Sequence, residues 1–201
     1  MLLLALDTCN RILSVALCTE KVVLATTKKE MDRGQGEALI PLIQELLAQT
    51  KRNVDDITAI AVAIGPGSFT GVRIGLATAK AFGMALNIPV WGVTNFEAEA
   101  CNTKGALTVV LDSKRGDYFV QHFSDGIPTD EAHIETLDEL KKALPFTATG
   151  DAARELKEAI DCAVLEQKDP SAVAIAQIAQ KRTDHPLPPE PLYLRGADVT
   201  L

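Results

Sequence analysis

Residues 62–83 read V-A-I-G-P-G-S-F-T-G-V-R-I-G-L-A-T-A-K-A-F-G, and the fold follows from how that stretch is divided. The apolar run 57–64 has the length of a buried strand, Gly65-Pro66-Gly67-Ser68 is turn chemistry, and 70–86 carries a helical pattern. Gly65 and Gly67 admit backbone angles that other residues resist. A helix start also exposes unpaired N–H groups with partial positive charge behind them, which makes the turn a candidate anion contact. It is none of the familiar phosphate loops. Gly71 is followed by Val72 and Arg73 rather than by Lys and Ser or Thr, and Gly65, Gly67 and Gly71 are one residue too widely spaced for the dinucleotide fingerprint. Ser68 lacks the flanking glycines of a nucleophile elbow. A tight connection inside an α/β domain accounts for the same residues.

Within the helix, Gly71, Gly75, Ala79 and Gly83 recur every fourth residue and draw a groove down one face. Each interior glycine costs roughly 1 kcal/mol relative to alanine. Close approach of another backbone would offset that cost, whether from the sheet beneath or from a second chain. A preceding helix over 38–49 has Ala38, Leu39, Ile40, Leu42, Ile43, Leu46 and Leu47 on an arc of roughly 200°, wider than an ordinary surface stripe. It either lies sandwiched in its own domain or shares a face with a partner.

Outward from this centre, residues 2–6, 12–18 and 22–28 read as three short strands, close enough in sequence to be antiparallel neighbours. Pro41 falls near the first turn of the 38–49 helix, 90–93 is a further strand, and Thr94 with Glu97 forms a capping box. The order β-β-β-α-β-α-β-α indicates a mixed sheet of the ribonuclease-H-like kind. Then the theme restarts: 107–111, Asp112-Ser113-Lys114-Arg115-Gly116 and 118–123 restate 2–6, Asp7-Thr8-Cys9-Asn10-Arg11 and 12–18. Helices capped by Thr136 and Glu139, over 152–160 and over 172–181, with a strand at 146–149, complete the second half. The expected organisation is a lobe at 1–103, a smaller lobe at 104–185 and a Pro-rich extended tail at 186–201.

Two lobes that each present Asp followed by Thr or Ser after the first strand resemble the actin, hexokinase and Hsp70 superfamily. That resemblance implies an α/β, two-lobed, duplicated fold with a mixed sheet in each lobe. It also implies hairpins that hold nucleotide phosphates, with aspartates facing a magnesium ion. Asp7, Thr8, Gly65, Gly67, Ser68 and Asp112 are then the candidate nucleotide or anion contacts. The competing role for Asp7 and Asp112 is the capping of their own turns, which suits Asp112 best because Lys114 and Arg115 lie beside it.

Composition narrows the function classes. The 201 residues are 47% apolar and 23% charged, enough for a sizeable core. A net charge of −7 argues against a polyanion-binding surface spread over the molecule. No membrane span or secretory leader is expected, and Cys9, Cys18, Cys101 and Cys162 form no C-x-x-C pair, which fits a reducing cytoplasm. His122, His133 and His185 are far apart in sequence and match no metal-binding spacing, so no metal site is expected.

The run Gly65-Pro66-Gly67-Ser68-Phe69-Thr70-Gly71-Val72-Arg73-Ile74-Gly75 closely resembles the signature of the bacterial TsaB (YeaZ) family. Leu6-Asp7-Thr8, Val93-Thr94 with Glu97, Leu111-Asp112 with Arg115-Gly116, and Pro191-Leu192-Tyr193-Leu194-Arg195 extend the likeness over nearly the full chain. The resemblance implies a role in making N6-threonylcarbamoyladenosine at position 37 of tRNA, as a non-catalytic partner of the TsaD transferase on which the TsaE ATPase also docks. It implies a homodimer in isolation, tRNA contacted through the complex, and no tightly bound cofactor, with ATP or ADP and Mg²⁺ at the complex interface. The TsaD-like metal pair H-x-x-x-H is replaced here by Asn95 and Glu99, and the His-Ser found in many relatives before the first long helix is replaced by Gln35-Gly36. The implied partner interface comprises Leu39, Leu42, Ile43, Leu46, Leu47, Gly71, Val72, Gly75, Leu76, Ala79 and Gly83. The rival reading is an enzyme: a nucleotide-dependent phosphotransferase or hydrolase using Asp7, Asp112 and the 65–71 loop.

Overall fold

A computed structural model describes residues 1–166 and 171–195. The first sheet is built from β1 (Leu2–Asp7), β2 (Ile12–Thr19), β3 (Val23–Glu30), β4 (Ala59–Ala63) and β5 (Val90–Val93) in the spatial order β3-β2-β1-β4-β5. β1 to β3 form an antiparallel meander, whereas β4 and β5 run parallel to β1. Between them lie α1 (Gln35–Gln49) and α2 (Phe69–Leu86), and α3 (Asn95–Ala100) follows β5. β1 and β4 are buried along their whole length, as expected of central strands covered on both faces.

The second half repeats this plan with shorter pieces. β6 (Ala106–Asp112), β7 (Tyr118–Ser124), β8 (Ile127–Pro128), β10 (Thr147–Thr149) and β11 (Ala163–Val164) give the order β8-β7-β6-β10-β11, and β9 (His133–Glu135) pairs on β7. β6 and β7 are antiparallel, while β10 is parallel to both β6 and β11. With α4 (Leu137–Lys142), α5 (Ala153–Ile160) and α6 (Ser171–Lys181), each half runs through the same succession, so the two-lobed, duplicated α/β fold is what forms.

The third helix of each half crosses to the other sheet. α3 sends Phe96 and Ala100 into a cluster with Leu107, Val109, Leu111 and Phe123 of the second sheet. α6 joins the core of the first sheet through Ala172, Val173, Ala174, Ile175, Ala176 and Ala179. Almost every turn of α6 is apolar, which suits a helix enclosed on several sides. Its first turn is secured from the opposite half, where Ser14 Oγ accepts the Ala172 N–H at 3.3 Å. At its end the Arg182 guanidinium pairs with Glu97 of α3. A division by sequence into 1–103 and 104–185 therefore leaves each lobe holding one helix packed on the other.

Local differences from the sequence reading have local causes. α1 starts three residues before Ala38 because Gly34 adopts a left-handed conformation (φ 92°) that opens the helix, so Pro41 lies inside the helix rather than near its start. The described part of the Pro-rich tail contains no helix and turns at Pro188–Glu190, where the Glu190 N–H donates to Pro188 O at 2.8 Å. Leu187 bridges Gly92, the Leu192 N–H donates to Ile64 O at 2.8 Å, and Arg195 pairs with Asp117 of the second lobe. Residues 196–201 of that tail lie outside the described residues.

Phe96→Ala should remove the anchor of the exchanged α3 and cost about 3–5 kcal/mol. Urea unfolding followed by fluorescence of Trp91, the single tryptophan, and by far-ultraviolet circular dichroism would show both midpoints falling together.

Candidate functional site

The loop expected to hold an anion is occupied by the chain's own β1–β2 turn. A Cβ on Gly71 would overlap the Thr8 carbonyl oxygen well inside 3.0 Å, and one on Gly75 would lie 2.6 Å from Thr8 Oγ1. Thr8 Oγ1 donates to Gly71 O at 2.6 Å, Ser68 N donates to Cys9 O at 2.7 Å, and Ser68 Oγ accepts the Gly71 N–H at 3.1 Å as the N-cap of α2. Gly67 is equally tight, its absent Cβ falling 2.7 Å from Cys9. Of the candidate anion contacts, Ser68 thus has its N–H engaged by Cys9 and its hydroxyl by the Gly71 N–H.

The same contacts correct the expected interface. Gly71, Val72, Gly75, Leu76, Ala79 and Gly83 form the buried face of α2, and the absent Cβ of Gly83 would overlap Val90 of β5. Leu39, Ile43, Leu46 and Leu47 are the buried residues of α1, and Leu42 is partly covered by the same core. The glycine groove lets α2 lie close on its own sheet and on Thr8. The side of α2 turned to solvent bears Phe69, Ala77, Ala81, Met84 and Ala85, with Ile74 half-buried next to them. Met84 is 84% exposed and Phe69 56%, while on α1 Ile40 is 40% exposed beside Pro41. Ile74, Ala77, Ala81 and Met84 follow helical spacing, a stripe that the more regular glycine pattern concealed.

Between the halves, acidic side chains gather at the ends of β1, β6 and β10. Asp7 Oδ1 accepts the Cys9 N–H at 2.9 Å and Asp112 Oδ1 accepts the Lys114 N–H at 2.6 Å, so both duplicated turns close in the same way. Lys114 Nζ also lies 2.6 Å from Asp112 Oδ2, and the Asp112 N–H donates to Asp151. Capping describes both aspartates. Asp7 has a further partner in Asn95, whose Nδ2 donates to Asp7 Oδ2 at 3.4 Å and whose buried Oδ1 meets no protein donor. One turn along α3, the Glu99 carboxyl is pushed up to about 7, first by desolvation and then by the charges of Asp151 and Asp7, against a lowering hydrogen bond from Thr149. Asp7 Oδ2 and Asn95 Oδ1 are oxygen donors of the kind a hard cation such as Mg²⁺ takes. The family resemblance points to Asn95 and Glu99 here, but sequence reasoning did not foresee Asp151, which the second lobe supplies.

Over the start of α2, Tyr193 stacks on Phe69 with ring centroids 6.0 Å apart, and the Arg73 guanidinium lies 3.5 Å from the Phe69 centroid. Arg73 Nε donates to the Tyr193 hydroxyl at 3.3 Å. This joins the signature loop to the Pro191–Arg195 segment, two stretches whose likeness to relatives the sequence shows separately.

The profile of the family described as TsaD, tRNA N6-adenosine threonylcarbamoyltransferase, matches residues 27–189. The chain belongs to the TsaD family, as a member of the TsaB (YeaZ) type. It is 34% identical over 122 residues to the Bacillus subtilis tRNA threonylcarbamoyladenosine biosynthesis protein TsaB, covering 59% of this chain and 53% of that one. An uncharacterised Mycobacterium tuberculosis protein is 31% identical over 198 residues, or 98% of this chain and 92% of its own length. YeaZ from Pseudomonas aeruginosa superimposes with a TM-score of 0.77 at 21% identity, covering 96% of this chain and 99% of that chain. Among the described residues no helix is long and apolar enough to cross a membrane.

Gly71→Ala should destabilise the fold by more than about 2 kcal/mol through overlap with backbone. Gly36→Ala, whose Cβ would sit 3.7 Å from Ile74 Cδ1, should be neutral or stabilise by up to about 1 kcal/mol; paired denaturation curves measure the contrast. For Glu99, a folded pKa near 7 against an ordinary 4.5 means that the folded state holds the proton more tightly. Its contribution is complete below the lower value and is lost as pH rises through the higher one. Glu99→Gln should accordingly gain on the wild type, on the order of 1–3 kcal/mol, between about pH 5 and pH 8, read as melting temperature against pH.

Proposed function

We propose that the chain serves the biosynthesis of N6-threonylcarbamoyladenosine in tRNA as a partner subunit of a TsaD-type transferase, docking through the outward faces of α1 and α2. Membership of the family and the TsaB relatives support the pathway. The observation that carries the docking surface is the apolar stripe Ala77, Ala81 and Met84, exposed beside the half-buried Ile74 although the other face of the same helix is fully packed. Exposed apolar stripes of this kind mark association surfaces. Small residues along its middle allow a partner helix to approach closely, and Met84 adapts to what it meets.

In this reading the isolated chain performs no bond-making step. In the absence of the transferase a second copy takes the same face, as the family resemblance implies. A TsaE-type ATPase docks on the pair, tRNA is met through the complex, and ATP or ADP with Mg²⁺ enters at the junction of subunits. The assembly works in the cytoplasm.

Ala81→Arg places a long charged side chain in the stripe without touching the packed face. It should abolish co-elution with the TsaD-type partner in size-exclusion chromatography, with an affinity loss of at least about 2 kcal/mol and an unchanged melting temperature. Co-elution at wild-type strength would refute the docking surface.

A further inference from the structure

Strand pairing brings together two imidazoles that the sequence keeps apart. β9 lies antiparallel on β7 with His133 opposite Val120, so His122, two residues along β7, is on the same side of the sheet. The two rings stack with centroids 5.8 Å apart and 24° between their planes. Asp130, between β8 and β9, is pinned beside them. Its Oδ1 accepts the His122 N–H at 2.8 Å, its carbonyl accepts from Gln121 Nε2 at 3.0 Å, and the neighbouring Thr129 N–H donates to His122 O at 2.9 Å. That leaves Oδ2 facing His122 Nδ1 at 2.7 Å and His133 Nδ1 at 3.7 Å.

One donor atom from each of His122, Asp130 and His133 lies within 4.8 Å of the other two. Ligand atoms on a tetrahedral Zn²⁺ sit about 3.3 Å apart, so small side-chain rotations close the gap. His133 Nε2 is 2.9 Å from Glu135 Oε1, and the buried Glu135 Oε2 has no protein partner. A carboxylate in that position orients a metal-bound imidazole through its far nitrogen. All three side chains are partly exposed and reachable from solvent.

We propose that His122, Asp130 and His133 bind a divalent transition cation of the Zn²⁺ type, with Glu135 as the positioning residue behind His133. Two imidazoles with one carboxylate favour Zn²⁺, Co²⁺, Ni²⁺ or Cu²⁺ over Mg²⁺ or Ca²⁺, and three protein ligands leave a position for water. The bound cation ties the segment that carries Asp130 to β7. His122 also lines a hollow of about 550 Å³ with Thr108, Leu140, Pro145 and Phe146, so the cation stands at the edge of that hollow. His133 Nδ1 is 2.9 Å from Glu131 O. Binding must release a proton and break that contact, so affinity falls in acid. The proposal is independent of the docking surface on α1 and α2.

The test is a Co²⁺ titration of the full, tag-free chain followed by visible d–d absorption, with Zn²⁺ as competitor. One equivalent should bind and be displaced by Zn²⁺. His122→Gln or His133→Gln should weaken binding more than about a hundredfold, Glu135→Gln about 10–100-fold, and His185→Gln not at all. Zn²⁺ should also raise the wild-type melting temperature, and a chelator should restore it. Absence of bound Co²⁺ and of that thermal shift in the wild type would overturn the site. So would binding that persists in both folded histidine variants, or a thiolate charge-transfer band tracing the ion to the four free cysteines.

Discussion

The exchange of α3 and α6 between the two sheets is the constraint on which the rest of the molecule depends. Neither half covers its own sheet with its own third helix. Phe96 is fully buried against strands of the second sheet, and the alanine-rich α6 lies in the core of the first. Separating the halves would expose both helices and leave the α6 terminus without Ser14. The small second lobe, with strands of two and three residues at its edge, is held by this reciprocal burial as well as by its own core. The acidic cluster is fixed by the same packing, since α3 carries Asn95 to Asp7 at the end of β1 and Glu99 to Thr149 at the end of β10.

A second close approach decides which side of α2 meets the outside. Thr8 occupies the notch formed by Gly71 and Gly75, and Gly83 lies against Val90. This draws the helix onto the sheet and turns Ala77, Ala81 and Met84 outward. It also engages two N–H groups of the turn, that of Ser68 by Cys9 O and that of Gly71 by the Ser68 hydroxyl. One packing event thus ties the β1–β2 turn to the start of α2 and leaves an apolar outer side on the same helix. The acidic cluster between the halves leaves the Glu99 carboxyl pushed up, first by burial and then by the charges of Asp151 and Asp7.

Much of this architecture is written in local patterns. The strand–turn–helix division, both Thr–Glu capping boxes and the restart at residue 107 arise from periodicity and turn chemistry that act over a few residues. The extent of the exchange is not legible, because an apolar helix announces that it is buried and not which sheet buries it. The same limit left the glycine groove open between the sheet beneath and a second chain: every fourth-residue spacing shows that something comes close, and Thr8 lies far back along the chain. His122 and His133 failed every sequence criterion for a metal pair, since such criteria count residues within one element, whereas β7–β9 pairing joins two. Composition could not place Glu99 near Asp151 either, as they belong to different halves.

Helix α2 carries two kinds of small residue, and the difference between them is physical. Glycine is required where backbone meets Thr8, because even a methyl group overlaps there. Alanine suffices on the outer side, where closeness to another helix is wanted and the intrinsic helical preference is best kept. Leucines in place of Ala77 and Ala81 would add apolar area that a free subunit must expose to water. An alanine stripe ended by one flexible methionine limits that exposure and still admits close packing when a partner arrives. The two faces are therefore separable: changes to the inner one act on folding, whereas under the proposed docking changes to the outer one act on association. On that proposal a helix at the centre of the fold serves also as its contact surface.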